Sequence, residues 1–338
     1  MSDAPQPGPG ATDGGQAEQP PATGWSRGPL RAAALAVLAV AAIVLVAGAL
    51  RSRTDGTAVP AAPPSARGGE ALQYVALGDS LSRGVQPAPG GNRTTASGYP
   101  WRLTALLRER GLSVELVEAG CGGATTRTFV AGGRCAPESP VPYANRDEAT
   151  GQLRWAVERL RDRGGAPTLV TLDVGGNDLV ACASPDRTRV AACLRDLRPA
   201  LLRGWRRIAR DLAAVAGPDT VLAVATLYDP FVALLRTGRA LAPAVRELDR
   251  FVVRDANPAL RRIFRAQGWL VADVGAAIGT RGALGSARSR RVRAVCDVTW
   301  MCAAQDIHLN DDGYLRAARV FDRATRRSLD ALGLAGRP

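Results

Sequence analysis

The chain has 338 residues and a mass of 35.3 kDa, and it is 46% hydrophobic and 22% charged, which excludes a fibrous or wholly disordered protein. All 44 basic residues are arginines, and the net charge of +13 comes from residues 71–338, because residues 1–70 hold five arginines and five acids. A basic body favours anionic surroundings such as a membrane surface, an envelope polymer or a nucleic acid. The single histidine, His308, excludes zinc sites built from several histidines.

The first seventy residues predict a tail, a membrane span and a linker. Residues 1–30 are rich in Pro, Gly, Ala and Gln and cannot bury a core, so we expect a disordered cytoplasmic tail. Residues 31–51 contain 19 consecutive residues without a charged or polar side chain. A helix of that length, at about 1.5 Å per residue, matches the hydrocarbon core of a bilayer. Residues 52–70, with several prolines and small residues, predict an extended linker.

Three interpretations of this apolar run compete. We favour an uncleaved signal anchor, which makes the protein a single-pass membrane protein. A cleaved signal peptide is the alternative and would release a secreted body, although the run is longer than the apolar part of most such peptides. A buried core helix is disfavoured, because disordered composition flanks the run on both sides. The arginines are nearly balanced across the segment, so they do not settle its orientation.

Six cysteines follow the apolar run and indicate where the body of the protein resides. They form three couples that are local in sequence, at positions 121 and 135, 182 and 193, and 296 and 302. Many pairings are possible, and pairing of nearest neighbours is only the simplest. An even count, without a C-x-x-C motif and with one histidine, favours disulfides in an oxidising compartment. We therefore expect the body outside the cytoplasm and the short tail inside.

From residue 71 the chain alternates short apolar runs with longer segments of helical periodicity. The runs predict strands at 72–77, 114–117, 169–172, 221–225 and 269–272, and the periodicity predicts helices at 101–110, 153–163, 197–215, 244–266 and 312–332. This alternation predicts the α/β class, with a parallel sheet covered by helices on both faces. Ligands bind beyond the carboxyl ends of the strands in such sheets, and the short polar motifs of this sequence lie there.

Three motifs directly follow predicted strands. Gly78-Asp79-Ser80-Leu81 exposes a serine to a substrate carbonyl, or it is an ordinary helix cap. Gly175-Gly176-Asn177-Asp178 supplies an amide that can donate to an oxyanion, or it is an ordinary turn. Gly120-Cys121-Gly122-Gly123 offers backbone N–H groups, or it is a tight turn beside a disulfide. The G-x-S-x-G motif of α/β-hydrolases is absent, since position 82 is serine.

The fourth motif, Asp306-Ile307-His308-Leu309-Asn310, precedes the last predicted helix. A general base must take the proton of an attacking serine, and His308 carries the one imidazole of the chain. A lone histidine is more often structural than catalytic. Four polar motifs in one α/β domain, with serine first and histidine last, favour the catalytic interpretation.

Together the four motifs resemble the SGNH/GDSL hydrolase family, in particular its secreted actinobacterial esterases and lipases. The resemblance spans nearly all of residues 71–335 and includes the Tyr99-Pro100-Trp101 entry to the first helix. It implies a flavodoxin-like three-layer α/β/α sandwich with a parallel sheet of about five strands. It also implies ester hydrolysis through an acyl-serine intermediate, without a metal or an organic cofactor.

The resemblance assigns roles residue by residue. Ser80 is the implied nucleophile and His308 the implied base. The backbone amide of Ser80, together with Gly123 and Asn177, forms the implied oxyanion hole. Three disulfides are implied as well: Cys121–Cys135, Cys182–Cys193 and Cys296–Cys302.

One departure from the family pattern concerns the group that orients the histidine. The family usually has an aspartate three residues before the catalytic histidine, but Gln305 stands there and Asp306 comes one residue too late. Either Asp306 orients the imidazole through a local adjustment, or a backbone carbonyl near Gln305 does so. Of the two, the spacing slightly favours the carbonyl.

These observations predict a membrane-anchored, extracytoplasmic serine esterase or lipase whose partner is an ester, either a lipid or an acylated small molecule. One alternative is an O-acetyl esterase acting on an envelope polysaccharide, and another is a catalytically silent binding module that faces the cell wall. Nucleic acid is not expected as a partner, because the body is exported and its aromatic residues do not alternate with the basic ones. We expect a monomer, with residues 71–338 as one hydrolase domain.

Overall fold

A computed structural model of the chain describes residues 70–133, 135, 151–163 and 165–334. The predicted tail, membrane helix and nearly all of the linker, residues 1–69, lie outside the described residues, so they stay predictions. Among the helices that the structure describes, none is long and apolar enough to cross a membrane.

The centre of the domain is a sheet of five parallel strands in the order β4-β1-β5-β6-β7. Numbered by their place in the sheet's sequence, these strands run 2-1-3-4-5, which is the order of flavodoxin-like sheets and agrees with the implied sandwich of about five parallel strands. A separate two-stranded antiparallel hairpin, β2–β3, follows β1. The strands are β1 (Leu72–Gly78), β2 (Gln86–Ala88), β3 (Gly91–Arg93), β4 (Val114–Glu118), β5 (Thr168–Asp173), β6 (Thr220–Ala225) and β7 (Leu270–Ala272).

Helices connect the strands and cover the sheet. The α-helices are α1 (Tyr99–Glu109), α2 (Thr126–Ala131), α3 (Gln152–Asp162), α4 (Gly176–Val180), α5 (Arg187–Ala213), α6 (Ala242–Phe251), α7 (Asn257–Arg265), α8 (Val274–Ile278), α9 (Arg290–Val298), α10 (Met301–Ala304) and α11 (Asp311–Ala331). Two 3₁₀ turns, Pro230–Arg236 and Arg239–Leu241, precede α6, and a π turn, Val252–Ala256, joins α6 to α7.

Each face of the sheet has its own hydrophobic core, so the domain has three layers. Side chains alternate along β1: Leu77 packs in the core formed with α3, α5, α6 and α7, whereas Tyr74 packs in the core formed with α1 and α11. Trp205 of α5 is fully buried in the first core. In the second, the rings of Tyr99 and Phe321 stack with centroids 4.8 Å apart and join α1 to α11.

The five strands of the parallel sheet and the five predicted helical segments lie close to where the sequence predicts them, with two instructive differences; the β2–β3 hairpin was not predicted. Helix α5 begins ten residues earlier than predicted, because the Asp186 carboxylate caps it by accepting the N–H of Thr188 at 2.7 Å. The helix predicted over 244–266 is interrupted by the π turn. Pro258 has no N–H with which to donate the next helical hydrogen bond. The side-chain amide of the preceding Asn257 bonds both the N–H and the carbonyl of Leu227, each at 2.8 Å.

The six cysteines pair as the family resemblance implies. The structure contains the disulfides Cys121–Cys135, Cys182–Cys193 and Cys296–Cys302, with Cα–Cα distances of 5.0, 5.5 and 5.2 Å. Each closes a short loop beside a motif or a wall of the site described next.

Candidate active site

The nucleophile motif turns sharply at the carboxyl end of β1. Gly78 has a φ of +141° and lies opposite Asp173 in the register of β1 with β5, and a Cβ added at Gly78 would lie 2.3 Å from the Asp173 carbonyl oxygen. Only glycine fits there. Gln152 of α3 holds both backbone groups of Gly78, at 2.6 Å for its N–H and 3.0 Å for its carbonyl. Ser80 therefore leaves the sheet at the switch point between β1 and β5, where open α/β sheets bind ligands.

The histidine motif meets Ser80 from the other end of the chain. The Nε2 atom of His308 lies 2.9 Å from the Ser80 Oγ. The loop that carries His308 is fixed on both sides: the Trp300 N–H donates to the His308 carbonyl at 3.0 Å, and the Tyr228 hydroxyl donates to the Ile307 carbonyl at 2.6 Å. His308 itself is 6% exposed, so its ring has little freedom to turn away.

Asp306 is the group that contacts the other imidazole nitrogen. Its Oδ1 lies 2.7 Å from the His308 Nδ1 and also accepts the backbone N–H of His308 at 2.8 Å. The sequence slightly favoured a backbone carbonyl near Gln305 as the group that orients His308, and that prediction is wrong because the Asp306 carboxylate does so. The reason is local: Gln305, with a φ of 54°, is the one non-glycine residue of positive φ in the described part of the chain. This left-handed residue ends α10 and turns the chain so that an aspartate two residues before the histidine reaches it.

The hairpin β2–β3 holds the second oxygen of the same carboxylate. The side-chain amide of Asn92 donates to the Asp306 Oδ2 at 2.8 Å. Burial alone would raise the pKa of Asp306. The hydrogen bonds that His308 and Asn92 donate outweigh burial and lower this pKa below its ordinary value. An ionised Asp306 accepts a proton-bearing Nδ1, which leaves Nε2 as an acceptor for the Ser80 hydroxyl. This tautomer is the one that a general base requires.

Two further carboxyls lie beneath the serine. The Asp79 N–H donates to the Asp173 Oδ2 at 3.2 Å, and the Tyr99 hydroxyl donates to the Asp173 Oδ1 at 2.6 Å. Burial raises the pKa of both carboxyls, and the nearby Asp79 charge raises that of Asp173 further, to well above its ordinary value. A pKa raised in this way favours the neutral acid at Asp173 and so limits the negative charge under the nucleophile.

The oxyanion hole implied by the resemblance divides into two parts in the structure. Within the described residues, the backbone amides of Ser80 and Gly123 donate to no acceptor, so both are available to a ligand. Gly123 has a φ of +78° and faces open space. Asn177 differs, because its side-chain nitrogen already donates to the Asp79 Oδ2 at 3.1 Å and to the Ala124 carbonyl at 3.0 Å. Its donation to an oxyanion stays a prediction and requires one of these bonds to be exchanged.

A cleft opens beside this group, and most of its wall is apolar. Its lining residues are Asp79, Ser80, Leu81, Gly176, Asn177, Leu179, Val180, Tyr228, Asp229, Pro230, Phe231, Leu248, Val252, Ile307 and His308. Of the predicted site residues, the cleft thus brings together Ser80, Asn177 and His308, while Gly123 lies outside this lining. Among the described residues, no group of three or more His, Cys, Asp or Glu side chains is placed to hold a metal ion.

Comparison with known proteins identifies the chain. Residues 76–316 match the GDSL-like Lipase/Acylhydrolase family. The chain belongs to this family.

Solved structures with a similar fold include several hydrolases. A lipase from a goat rumen metagenome is 16% identical to this chain with a TM-score of 0.47, and the match covers 75% of this chain and 97% of the lipase. Phospholipase A1 from Streptomyces albidoflavus NA297 has 19% identity and a TM-score of 0.44, covering 75% and 99%. A carbohydrate acetylesterase family member from Sinorhizobium meliloti has 14% identity and a TM-score of 0.43, covering 77% and 99%. A search of curated proteins finds no match.

As a member of the GDSL family the chain is a hydrolase, and the structure adds residues that the sequence did not reveal. Asn92 lies in β3, a strand of only three residues whose side chains do not alternate between apolar and polar, so no sequence pattern predicted a role for it. Asp229 follows the carboxyl end of β6, and the strand-end rule that found the other motifs could have found it.

Asp229 is an unusual carboxyl in the wall of the cleft. It is 1% exposed, its Oδ1 accepts the Phe231 N–H at 2.9 Å, and its Oδ2 has no partner among the described residues. Burial, and then the charge of Asp249, raise its pKa to about 7, against the opposing effects of the Phe231 N–H and Arg291.

Replacing Asn92 with aspartate should change the pH dependence of the site. A second carboxylate beside Asp306 would favour the protonated imidazolium of His308. We therefore expect Asn92→Asp to move the acid limb of the kcat/KM profile upward by about 0.5–1 pH unit and to lower activity at neutral pH. Asn92→Ala should lower activity with a smaller displacement of the limb. Gln267→Glu, the same change of charge at an exposed position beyond α7, is the control. An acid limb identical in Asn92→Asp and in the control would contradict this role.

Replacing Asp229 with asparagine should stabilise the fold increasingly as the pH rises from about 4 to about 7, and fully above that. Since the folded-state pKa of Asp229 lies near 7 and the ordinary value is 3.8, its ionisation costs stability as the pH rises from about 4 to about 7. We expect Asp229→Asn to gain on the order of 1–4 kcal/mol relative to the parent between pH 4 and pH 8, measured by urea unfolding. The exposed Asp219→Asn is the control. A difference in stability that is the same at both pH values would refute the assignment.

Proposed function

We propose that this protein hydrolyses carboxylic esters by a serine mechanism, with an acyl group bound to Ser80 as the intermediate. The observation that carries the proposal is the unbroken chain of hydrogen bonds from Ser80 through His308 to Asp306, with distances of 2.9 and 2.7 Å, at the edge of an apolar cleft. A binding module without catalytic activity would not require a serine, a histidine and an aspartate bonded in this order.

In the first half of the reaction the Ser80 Oγ attacks the ester carbonyl carbon while its proton passes to the His308 Nε2. The positive charge that forms on the imidazole is stabilised by Asp306. The oxyanion of the tetrahedral intermediate is held by backbone N–H groups, those of Ser80 and Gly123. When the intermediate collapses, the bond to the alcohol oxygen breaks and Nε2 returns the proton to the leaving alcohol.

In the second half, water takes the place of the alcohol. His308 accepts a proton from the water as its oxygen attacks the acyl carbon, and the same N–H groups hold the second oxyanion. The Ser80–acyl bond then breaks, and Oγ recovers its proton from Nε2. The carboxylic acid leaves and the free enzyme is restored.

We also propose that the body works outside the cytoplasm, anchored by a membrane helix over residues 31–51. Three disulfides and the uncharged run of 19 residues support this location. The full chain with a C-terminal epitope tag should stay with the membranes and lose the tag to protease added to intact spheroplasts, while a cytoplasmic marker protein stays intact. A tag that is protected until lysis would contradict the location, and tagged body in the medium would support a cleaved signal peptide instead.

The esterase activity is tested with p-nitrophenyl esters from acetate upward and with a fluorophosphonate probe, on the oxidised full-length chain. Ser80→Ala should lose at least about 10³-fold in kcat and all labelling by the probe. Ser113→Ala, at the opposite end of the sheet, is the matched control and should keep both. A folded wild-type protein with neither turnover nor labelling would refute the enzyme and favour a binding module. Activity confined to acetate would favour the O-acetyl esterase.

A further inference from the structure

The positive charge of the chain is concentrated on two helices, α5 and α7. Together they contain eleven arginines and two acidic residues, a net charge of +9 out of the +13 of the whole chain. The rest of the sequence is therefore nearly balanced. Helix α11, which covers the opposite face of the sheet, shows the contrast, because its five arginines are accompanied by four aspartates.

The two helices lie side by side and form one surface. The indole of Trp269, just beyond α7, donates to the Ala209 carbonyl of α5 at 3.1 Å. Trp205 and Phe264 bury the inner sides of the two helices in the same core. Their outer sides face solvent, and every arginine of the two helices except Arg261 is exposed. We call these outer sides the basic surface.

Half of the exposed arginines on the basic surface are paired with a carboxylate, and half are not. Pairs with Glu247, Asp186, Asp196 or Asp211 account for the paired ones. Within the described part of the chain, the arginines without a carboxylate partner are Arg198, Arg203, Arg206, Arg262 and Arg265.

Folding alone does not explain the unpaired arginines in the middle of α5. Arg262 and Arg265 lie in the last turn of α7, where a positive charge complements the helix dipole. Arg198, Arg203 and Arg206 lie in the interior of α5, where the dipole has little effect. Like charges three or four residues apart on a helix repel each other. The arrangement therefore suits an anion from outside the domain.

The shape of the basic surface favours an extended anionic partner. Helix α5 has 27 residues and is about 40 Å long. Its exposed side chains include no large apolar residue, so contact would be electrostatic and would not need insertion into hydrocarbon. A guanidinium group matches the geometry of a phosphate, and a bilayer with anionic phospholipids presents an array of phosphates over such a length.

The basic surface also reaches the edge of the sheet where the chain enters the domain. Helix α5 leads into the start of β6 and α7 into the start of β7, and β1 begins at the same edge with Leu72. The proposed linker of residues 52–70 therefore joins the body beside the ends of both basic helices. A tether of this kind keeps the surface at a high effective concentration near the bilayer.

We propose that the basic surface of α5 and α7 binds the anionic phospholipid headgroups of the bilayer in which the chain is anchored. The inference goes beyond the proposed ester hydrolysis and rests on the proposed membrane anchor. Each arginine close to an anionic bilayer strengthens binding roughly fivefold. Because Ser80 lies at the opposite, carboxyl edge of the sheet, the contact leaves the active site accessible from the side away from the entry of the chain.

The proposal is tested by sedimentation with vesicles. The full chain is placed in nanodiscs of phosphatidylcholine and mixed with sucrose-loaded vesicles, either of phosphatidylcholine alone or of equal parts phosphatidylcholine and phosphatidylglycerol. We expect the loaded discs to pellet with the anionic vesicles only, and to be released as salt is raised from about 0.05 M to about 0.5 M. Empty discs give the background.

The decisive variant reverses three charges of α5. We expect the triple substitution Arg198→Glu, Arg203→Glu and Arg206→Glu to weaken binding to the anionic vesicles at least about 100-fold. None of the three residues lines the catalytic cleft, so hydrolysis of p-nitrophenyl acetate should be unchanged. Circular dichroism checks independently that the variant folds.

The matched control makes the same change in net charge on α11. Its substitutions are Arg316→Glu, Arg319→Glu and Arg323→Glu, at exposed positions without a carboxylate partner among the described residues. This control should bind within about threefold of the wild type. An equal loss in both variants would overturn the proposal, since total charge and not the basic surface would then govern binding.

Other results would overturn the proposal as well. Equal pelleting with both kinds of vesicle would exclude an electrostatic contact. Binding of a soluble polyanion such as polyglutamate, without binding to the anionic vesicles, would favour an envelope polymer as the partner. A chain that stays in solution without a disc would refute the anchor, and its surface is then tested by the same sedimentation without discs. Failure of the proposed function is distinguishable, because ester turnover is measured separately from pelleting.

Discussion

The site depends on one close contact between two neighbouring parallel strands, where Gly78 at the end of β1 lies against Asp173 at the end of β5. The contact leaves no room for a side chain at position 78, and it places the Asp173 carboxylate where it accepts the N–H of Asp79. Asp79 in turn accepts the N–H of Leu81 at 3.0 Å and the side-chain amide of Asn177, which follows β5. The turn that presents the nucleophile is thus bonded to the neighbouring strand before any substrate arrives, as preorganised catalysis requires.

Four buried carboxyls, those of Asp79, Asp173, Asp229 and Asp306, lie in or beneath the site, and their surroundings affect their pKa differently. Asp306 receives hydrogen bonds from His308 and Asn92 that favour its anion, so it can balance an imidazolium. Asp173 receives a hydroxyl and a backbone N–H but stands beside Asp79, which favours its neutral form. Asp229 has one oxygen without a partner among the described residues, and burial raises its pKa to about 7. Burial raises the pKa of each of these carboxyls, and only at Asp306 do the donors outweigh it and lower the pKa below its ordinary value.

Much of this site could be predicted from the sequence, because parallel strands bring their carboxyl ends to one edge: the motifs at Ser80, Asn177 and His308 lie there as expected. The orienting aspartate could not be chosen, since the choice depends on a single left-handed residue, Gln305, which no periodicity reveals. Asn92 was not predicted for a related reason. Its role depends on a contact with Asp306, far away in the chain, whereas patterns of polarity report only which face of one element is buried.

The distance along the chain between the two reacting side chains has a consequence for biosynthesis. Ser80 and His308 are 228 residues apart, and the base lies between α10 and α11, the last two helices. Contacts between such distant segments form only after the intervening chain has been ordered. A nascent chain therefore holds an unactivated serine, and the base joins it only when the carboxyl-terminal part of the domain has folded.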